Sequence, residues 1–326
     1  MRDARPDQSG LYAIALAGLL AFLVGCSPEP PQSGGDPDQL RIVSFMPSAT
    51  RIVVDLGLAD RIVGVAEHDA AAPTVNADGN PMPIVGHFMD VDAEKLIALR
   101  PTHVIFPVTR EAEPAMMSTL VKRTAATLIA EPYPDNYATA MLATARLGRA
   151  LGRASAAYQL EARLRRETSR TSDAALVLRR AAERRGDVPG VLLAFTIDPV
   201  VASGTGSVND ELLAFAGADN ALGDTAASAV TLDREALIDI DPDVVVLLLP
   251  GANDAEAAEK AAWFNGLPIA AVRSGRVHTL TDPQVLLPAT NLPEVLAQLV
   301  ALIWGETRLG ADPAAASQPR AFGVGD

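Results

Sequence analysis

Short apolar runs alternate with segments of helical periodicity from Arg41 onward. The runs that predict buried strands in the first part of the chain are residues 41–45, 61–65 and 103–106. The segments between them predict helices at residues 48–58, capped by Ser48 and closed near Gly57, and at residues 93–99. Strands that alternate with helices pair in parallel, because each crossover needs a helix to return the chain to the same sheet edge.

A different pattern occupies residues 136–186, which contain no proline and are rich in Ala, Leu, Arg and Glu. These are strong helix formers, apart from a predicted break near Leu151 where Gly148 and Gly152 lie. The remainder, residues 154–185, predicts a helix of about 32 residues, or roughly 48 Å. We expect a rod of this length to join two separate bodies.

Beyond the rod the α/β pattern begins again. Residues 190–195 and 276–280 predict strands, and residues 207–217 predict a helix that opens near Asn209 or Asp210. Residues 292–304 predict a terminal amphipathic helix.

One helix-to-strand unit occurs twice, about 140 residues apart, as AEKLIALRPTHVIF (residues 93–106) and REALIDIDPDVVVL (residues 234–247). The matched pairs are Glu94 with Glu235, Leu96 with Leu237, Ile97 with Ile238, and Pro101 with Pro242. The repeat predicts two similar bodies that face each other.

These patterns predict an α/β fold of two similar lobes with central, mostly parallel sheets, joined by one long backbone helix, with a cleft between the lobes. A chain of 326 residues that is 49% hydrophobic can bury one large core or two ordinary ones. The predicted divisions are residues 41–136 for the first lobe, 137–187 for the helical spine, 188–305 for the second lobe and 306–326 for a loose tail.

The N-terminus has the pattern of an export signal. Arg2 and Arg5 precede an apolar run at residues 11–24, which is too short to span a bilayer comfortably but has the length of a signal-peptide core. The run ends in LVGC at Cys26, which resembles the lipobox of bacterial lipoproteins. The resemblance implies a signal peptide at residues 1–26 and a lipid on Cys26, after which residues 27–40 form a flexible tether. We expect an exported, membrane-anchored lipoprotein that faces the periplasm or the cell exterior.

Charge and cysteine content exclude several classes of function. The formal net charge is −13, and the basic residues of the long helix are interleaved with acidic ones, so no basic face is predicted for nucleic acid. Cys26 is the single cysteine, and its acylation leaves no thiol for a disulfide or for catalysis.

Five segments, in order, carry a family resemblance. They are RIVSFMPSATRIVVDLGLADRIVGV, VGHFMDVDAEKLIALRPTHVI, ASGTGSVNDELLAFAGADNAL, REALIDIDPDVVVL and WFNGLPIAAVRSGRVHTL. Together they resemble the helical-backbone class (class III) of ABC-importer substrate-binding proteins, which includes the cobalamin, haem and ferric-siderophore receptors. The resemblance covers nearly all of residues 41–304. Within the class, the chain is most similar to the cobalamin-binding branch. The resemblance implies a receptor that captures a corrinoid and delivers it to a membrane permease.

In that family each lobe carries a surface glutamate that docks onto arginines of the transporter. The resemblance places Glu94 and Glu235 in this role, with the permease dimer and its ATPase as partner. A carboxylate in the first turn of a helix is favoured by the helix dipole and can accept a bidentate arginine. The other interpretation is that both are ordinary N-terminal helix glutamates.

The ligand is expected between the lobes, where strand-end loops converge at the carboxyl edges of the sheets. The residues predicted to bind it are Met46, Pro47, His68, His87, Phe88, Met89, Pro107, Phe195, Asp198, Val201 and Asp282. Glu67 and Gln284 lie in the same loops. The resemblance places His68 and Phe88 at aromatic contacts of the cobalamin receptors, and Asp282 near a polar contact of the opposite lobe.

Haem and ferric siderophores stay open as alternative ligands. The chain is only 4% aromatic, and Pro107, Val201 and Ala229 stand where the cobalamin branch presents large rings. His68 and His87 could ligate haem iron, but a polar loop role also explains them, and their spacing matches no zinc pattern. We predict no metal site and no resident cofactor.

Little in the sequence points to catalysis. SGTGS (residues 203–207) precedes a helix as a phosphate cradle would, but a glycine turn before a capped helix explains it, and it is not a Walker loop. The sequence contains no G-x-S-x-G elbow and no H-E-x-x-H motif. We therefore predict that the protein is not an enzyme, with a structural surface lipoprotein that has lost its ligand as a further alternative.

Overall fold

The computed structural model describes residues 40–108, 114–225 and 227–305. The described residues all belong to one compact unit. The predicted signal peptide, the lipid-bearing Cys26, the tether up to residue 39 and the tail at residues 306–326 all fall outside the described residues. Within the described part of the chain, no helix combines the length and the apolar character that a bilayer crossing needs.

The first lobe is built on a parallel sheet. Its strands are β1 (Ile42–Ser44), β2 (Ile62–Val65), β5 (His103–Val108) and β6 (Thr127–Pro132), with a small hairpin of β3 (Gly86–His87) and β4 (Asp90–Val91). The strand order is β2-β1-β5-β6, and each neighbouring pair is parallel. The short strands β1 and β2 are buried throughout, as expected for a parallel sheet whose two faces are covered.

The second lobe is built on a mixed sheet. Its strands are β7 (Gly190–Ile197), β8 (Val200–Ser203), β9 (Asp219–Asn220), β10 (Ala229–Leu232), β11 (Val244–Leu248) and β12 (Val277–Leu280). The order is β10-β8-β7-β11-β12, with β9 also paired to β7. Strands β7, β11 and β12 are parallel, whereas β8 and β10 add an antiparallel edge that the sequence pattern did not predict.

Helices connect these strands and join the two sheets. They are α1 (Pro47–Val53), α2 (Ala93–Ala98), α3 (Pro114–Thr124), α4 (Tyr137–Ala150), α5 (Ala154–Arg185), α6 (Val208–Phe215), α7 (Arg234–Ile240), α8 (Asp254–Ala262), α9 (Ala270–Arg273) and α10 (Leu292–Trp304). The prediction of two α/β lobes on mostly parallel sheets, joined by a long helix, is confirmed.

The start of α1 differs from the prediction that Ser48 caps it. The helix begins at Pro47, and the preceding Met46 provides no capping side chain. Proline is well suited to the first helical position, because its missing N–H would have no partner there. Ser48 lies inside the helix and is completely buried. Gly57 has a φ of 73° and interrupts the turn Val54–Leu58 that continues from α1, close to the predicted end of the helix.

The spine helix α5 has the bounds that the sequence predicts, and its 32 residues extend over about 48 Å. The break before it falls at Leu151 and Gly152, where Gly152 adopts a φ of 69°. At its other end Gly186 adopts the left-handed conformation that terminates many helices.

One hydrophobic cluster runs through both lobes and the spine. It includes Ile42 of the first lobe, Leu164 of α5, Val246 of the second lobe and Leu296 of α10, all at most 3% exposed. Each such side chain contributes about 1.5–3 kcal/mol when it is buried. Because the lobes share this core, a wide separation would expose it to water at a large cost in free energy. Only small motions of one lobe relative to the other cost little free energy.

Candidate functional site

Glu94 and Glu235 hold the same position in the two lobes. Each is the second residue of a short helix, α2 or α7, whose N-cap is an aspartate. Asp92 accepts a hydrogen bond from Lys95 N at 3.0 Å, and Asp233 accepts one from Ala236 N at 2.8 Å. Both glutamates are exposed, and neither carboxylate has a hydrogen-bond or ion-pair partner in the described chain. They are therefore available to a cationic partner.

The ends of these two helices also match. Arg100 and Asp241 adopt positive φ values of 45° and 43°, and a buried proline follows each of them. Leu96 and Leu237 are both completely buried and fix the helices on their lobes. The repeat seen in the sequence is thus a repeat in three dimensions.

A cleft of about 690 Å³ lies between the lobes. Its first-lobe wall consists of Pro47, Val65, Ala66, His68, Asp69, Ala70, Ala72, Met82 and Ile84. Its second-lobe wall consists of Pro250, Gly251, Pro283, Leu286 and Leu287. These walls include the loops that follow β1, β2, β11 and β12, which is where open α/β sheets bind ligands. The volume lies within the range of about 300–1,000 Å³ that is typical of small-molecule sites.

The walls are mostly apolar, and among the described lining residues His68 and Asp69 carry the ionisable side chains. His68 is exposed, and its φ of 58° places its backbone in the left-handed region. Its ring has no hydrogen-bond partner within the described residues, so both nitrogens are open to a ligand.

Asp69 adds a polar group to this wall. Its Oδ2 accepts a hydrogen bond from the Thr50 hydroxyl at 2.6 Å, and its Oδ1 accepts one from Ala71 N at 3.0 Å. Burial raises the pKa of the Asp69 carboxyl, and these hydrogen bonds only partly oppose the rise. Tyr133 follows β6 near this group. Desolvation of its phenol raises the pKa of Tyr133, and the negative charge of Asp69 adds to the rise.

Two of the predicted ligand residues, Pro47 and His68, line the cleft. Met46 and Pro107 have no access to it, because both are buried. Met46 is 0% exposed within the shared core, and Pro107 lies in the interior strand β5 beside Glu131 of β6. The proline is tolerated there because the pairing of β1 with β5 ends at Ile105. A residue at position 107 would therefore have no β1 partner for a backbone N–H, and proline loses no hydrogen bond of the sheet.

His87, Phe88 and Met89 are not among the lining residues. They form the β3–β4 hairpin, in which the rings of His87 and Phe88 lie 4.1 Å apart. Met89 is 55% exposed, and its backbone N–H donates to His87 Nδ1 at 3.2 Å. The hairpin ends at Val91, three residues before Glu94 of α2.

The second-lobe candidates also lie away from the cleft lining. Phe195 packs half-buried against the shared core, while Asp198 and Val201 belong to the β7–β8 hairpin. Asp282 is exposed, and its Oδ1 accepts a hydrogen bond from Gln284 N at 2.7 Å. Its neighbour Pro283 lines the cleft, so the predicted loop contributes to the wall through adjacent residues.

Sequence reasoning missed most of the wall. Met82 and Ile84 lie in a loop without periodicity, so no pattern marks them. Pro250 and Gly251 had a usable signal, because a Pro-Gly pair directly after the apolar run of β11 indicates a strand-end loop. Leu286 and Leu287 are apolar residues in a loop, and they resemble core residues until the opposite wall is known.

Comparison with known proteins identifies the family. Residues 42–283 match the family described as periplasmic binding protein. The chain belongs to the periplasmic binding protein family. A relative from Bacillus subtilis, named as the uncharacterized ABC transporter substrate-binding lipoprotein YvrC, is 25% identical over 268 residues, which cover 82% of this chain and 81% of the relative.

Solved structures share the fold of this periplasmic binding protein. A periplasmic haem-binding protein from Pseudomonas aeruginosa is 27% identical, with a TM-score of 0.66 over 82% of this chain and 93% of that chain. The haem-binding protein RhuT from Roseiflexus is 22% identical, with a TM-score of 0.65 over 83% and 99% of the two chains. The vitamin B12 binding protein BtuF from Vibrio cholerae is 16% identical, with a TM-score of 0.61 over 81% and 96%. Both haem-binding and vitamin B12-binding proteins therefore share the architecture.

Family membership also bears on catalysis. The family is one of binding proteins, which agrees at that level with the expectation that the chain is not an enzyme.

Proposed function

We propose that this protein is the extracytoplasmic substrate-binding component of an ABC importer, and that its cleft captures a tetrapyrrole metal chelate for delivery to the permease. The cleft between the lobes carries the proposal. Its apolar walls suit the faces of a macrocycle, and its few polar groups suit the fixing of one orientation.

Haem is the first candidate ligand, and the corrinoid favoured by the sequence resemblance is the second. His68 provides an exposed imidazole at the wall, which is a suitable axial ligand for haem iron. The described lining residues include no Phe, Tyr or Trp, so the aromatic contacts expected of a cobalamin receptor are missing from the wall. The similarity to the haem-binding protein from Pseudomonas aeruginosa also favours haem over a corrinoid.

Glu94 and Glu235 provide the contact with the permease in this proposal. Their exposed carboxylates, one on each lobe, match two arginine sites on a dimeric partner and would set the orientation of the receptor on it. A lipid on Cys26 would confine the receptor to the membrane surface and raise its effective concentration near the transporter.

Titration of the protein with haemin, aquocobalamin and a ferric hydroxamate siderophore, followed by absorbance, tests the ligand. We expect haemin to bind and to shift its Soret band. His68→Ala should remove the axial-ligand spectrum and weaken haemin binding by about tenfold or more, a loss of roughly 1.4 kcal/mol. The matched control is His87→Ala, which alters an exposed histidine outside the cleft and should leave the spectrum unchanged.

The other outcomes discriminate between the alternatives. Preferential binding of aquocobalamin or of the siderophore would replace haem with that ligand. Binding of none of the three would overturn the proposal and favour a structural lipoprotein.

A further inference from the structure

Polar contacts join the two lobes beside the cleft. Arg51 on α1 of the first lobe donates from Nη1 to Oε1 of Gln284 in the second lobe at 2.7 Å. The amide of Gln284 also donates from Nε2 to the backbone oxygen of Ala70 in the first lobe at 3.2 Å. One side chain of the second lobe is therefore held at both its acceptor and its donor atom by the first lobe.

Arg51 is itself fixed on both sides. Its Nε donates to Asp55 Oδ2 at 2.8 Å, and its Nη2 lies 3.4 Å from a carboxylate oxygen of Glu294 on α10. Asp55 also accepts a hydrogen bond from the hydroxyl of Thr290 in the second lobe. The Arg51 side chain is only 17% exposed, so these interactions are less screened by solvent than those of a surface pair.

The backbone of Gln284 is equally constrained within the second lobe. Its N–H donates to Asp282 Oδ1 at 2.7 Å, and its carbonyl accepts a hydrogen bond from Asn291 Nδ2 at 2.7 Å. The side chain thus extends from a rigid loop. A movement of this loop relative to the first lobe must stretch the contacts with Arg51 and Ala70.

The bridge that Gln284 forms to Arg51 and Ala70 lies beside the walls of the cleft. Gln284 follows Pro283 and precedes Leu286 and Leu287, which form the second-lobe wall. Its acceptor Ala70 and the adjacent Asp69 belong to the first-lobe wall. The length of the Gln284 side chain therefore fixes the separation of the two walls at this point.

We propose that Gln284, anchored by Arg51, is a positioning residue that sets the width of the cleft and so selects the thickness of the ligand. The inference rests on the proposed function for its ligand, but the bridge itself can be tested without one. Glutamine suits the task because its amide accepts from Arg51 and donates to Ala70 at the same time. Glutamate keeps only the first contact, and methionine of similar length keeps neither.

The test combines a distance with an affinity. Spin labels on Ala98→Cys and Asp239→Cys, exposed positions on α2 and α7, report the separation of the lobes in the full chain carrying Cys26→Ser. We expect a narrow distance distribution in this background. Gln284→Met should broaden it or shift it to longer distances without ligand, and should raise the haemin dissociation constant by about tenfold. Gln284→Glu should give intermediate values in both measurements.

The matched control is Gln159→Met, the same change at an exposed glutamine on α5, which should alter neither measurement. If Gln284→Met weakens binding while the distances stay unchanged, Gln284 acts as a direct ligand contact and the proposal fails. Altered distances with unchanged affinity also overturn it.

If Gln284→Met does not fold, the same comparison applies to Gln284→Glu. Failure of the wild-type protein to bind haemin, aquocobalamin or the siderophore would refute the proposed function, whereas the ligand-free distances would still decide whether the bridge holds the lobes.

Discussion

Thr102 and Asp243 make the same pair of hydrogen bonds in the two lobes. Thr102 donates its N–H to the Arg41 carbonyl at 2.8 Å, and its hydroxyl accepts from Arg41 N at 2.9 Å. Asp243 donates its N–H to the Gly190 carbonyl at 2.9 Å, and its carboxylate accepts from Gly190 N at 2.9 Å. Different side chains therefore fasten the start of β5 to β1 and the start of β11 to β7 in the same way.

Removal of the accepting oxygen should destabilise each lobe. Thr102→Val leaves a half-buried backbone N–H of Arg41 without its partner, and we expect a loss of about 1 kcal/mol in the free energy of unfolding. Asp243→Ala should cost somewhat less, because this residue is exposed and water can replace the lost acceptor. Urea unfolding gives both values. Asp243→Asn is the control, since its amide oxygen still accepts from Gly190; an equal loss in Asn and Ala would contradict the hydrogen-bond explanation.

Charge reversal at the two exposed glutamates should strongly reduce transport without affecting ligand binding. Glu94→Lys and Glu235→Lys together reverse both carboxylates of the proposed docking contact, and repulsion from the arginines proposed on the permease should lower uptake by at least tenfold. Haemin affinity in solution should stay unchanged, because neither residue lines the cleft. Uptake by cells and binding by the purified protein are the two measurements.

Glu259→Lys on α8 provides the matched control for that experiment. Glu259 is exposed and lies outside the repeated unit, so its reversal changes the net charge as much as Glu94→Lys or Glu235→Lys does alone, but it should leave uptake intact. A loss of ligand affinity in the double variant would show that the glutamates act on the cleft, and the docking role would then be wrong.

Local signals explain which parts of the fold could be predicted. The bounds of α5 follow from helix formers between two glycines, and α10 follows from its strongly amphipathic pattern. The antiparallel strands β8 and β10 were missed because they are short and surround glycine turns, which read as loop. The predicted cap at Ser48 was wrong because Pro47 starts the helix one residue earlier.

The candidate site was less predictable, for a physical reason. A strand-end position predicts nearness to the cleft, but the direction of each side chain depends on packing. Met46 follows β1 and yet is completely buried, whereas the adjacent Pro47 lines the cleft. Gln284 lay in a predicted ligand loop, but only the opposite lobe shows that its amide is already engaged by Arg51 and Ala70. Contacts between residues more than 200 positions apart leave no local pattern.

The crossing of α4 and α5 should depend on the small size of Gly148. A Cβ added at this position would overlap the Cβ of Ala157 on α5. Helix propensity alone favours Gly148→Ala by about 1 kcal/mol, but overpacking costs about 1–3 kcal/mol. We therefore expect a net destabilisation of roughly 1 kcal/mol in urea unfolding. The double variant Gly148→Ala with Ala157→Gly restores the space, and a favourable coupling energy of about 1 kcal/mol should appear in the double-mutant cycle. Purely additive effects would mean that the helices adjust without strain.

Stability should fall in mildly acidic solution because of His103. This residue of β5 is 6% exposed, its Nδ1 lies 3.0 Å from the Thr102 hydroxyl, and burial lowers the pKa of its imidazole below the ordinary 6.5. Above pH 6.5 the ring is neutral in both the folded and the unfolded chain, so its contribution is fully present. As the pH falls below 6.5 the unfolded chain binds a proton that the folded protein resists, and the free energy of unfolding decreases by at most about 1.4 kcal/mol per pH unit.

Urea unfolding between pH 8 and pH 5 measures this slope. His103→Gln should reduce it, and its value at pH 8 separates the packing cost of the substitution from the proton effect. The same slope in wild type and variant would show that other groups control the acid sensitivity.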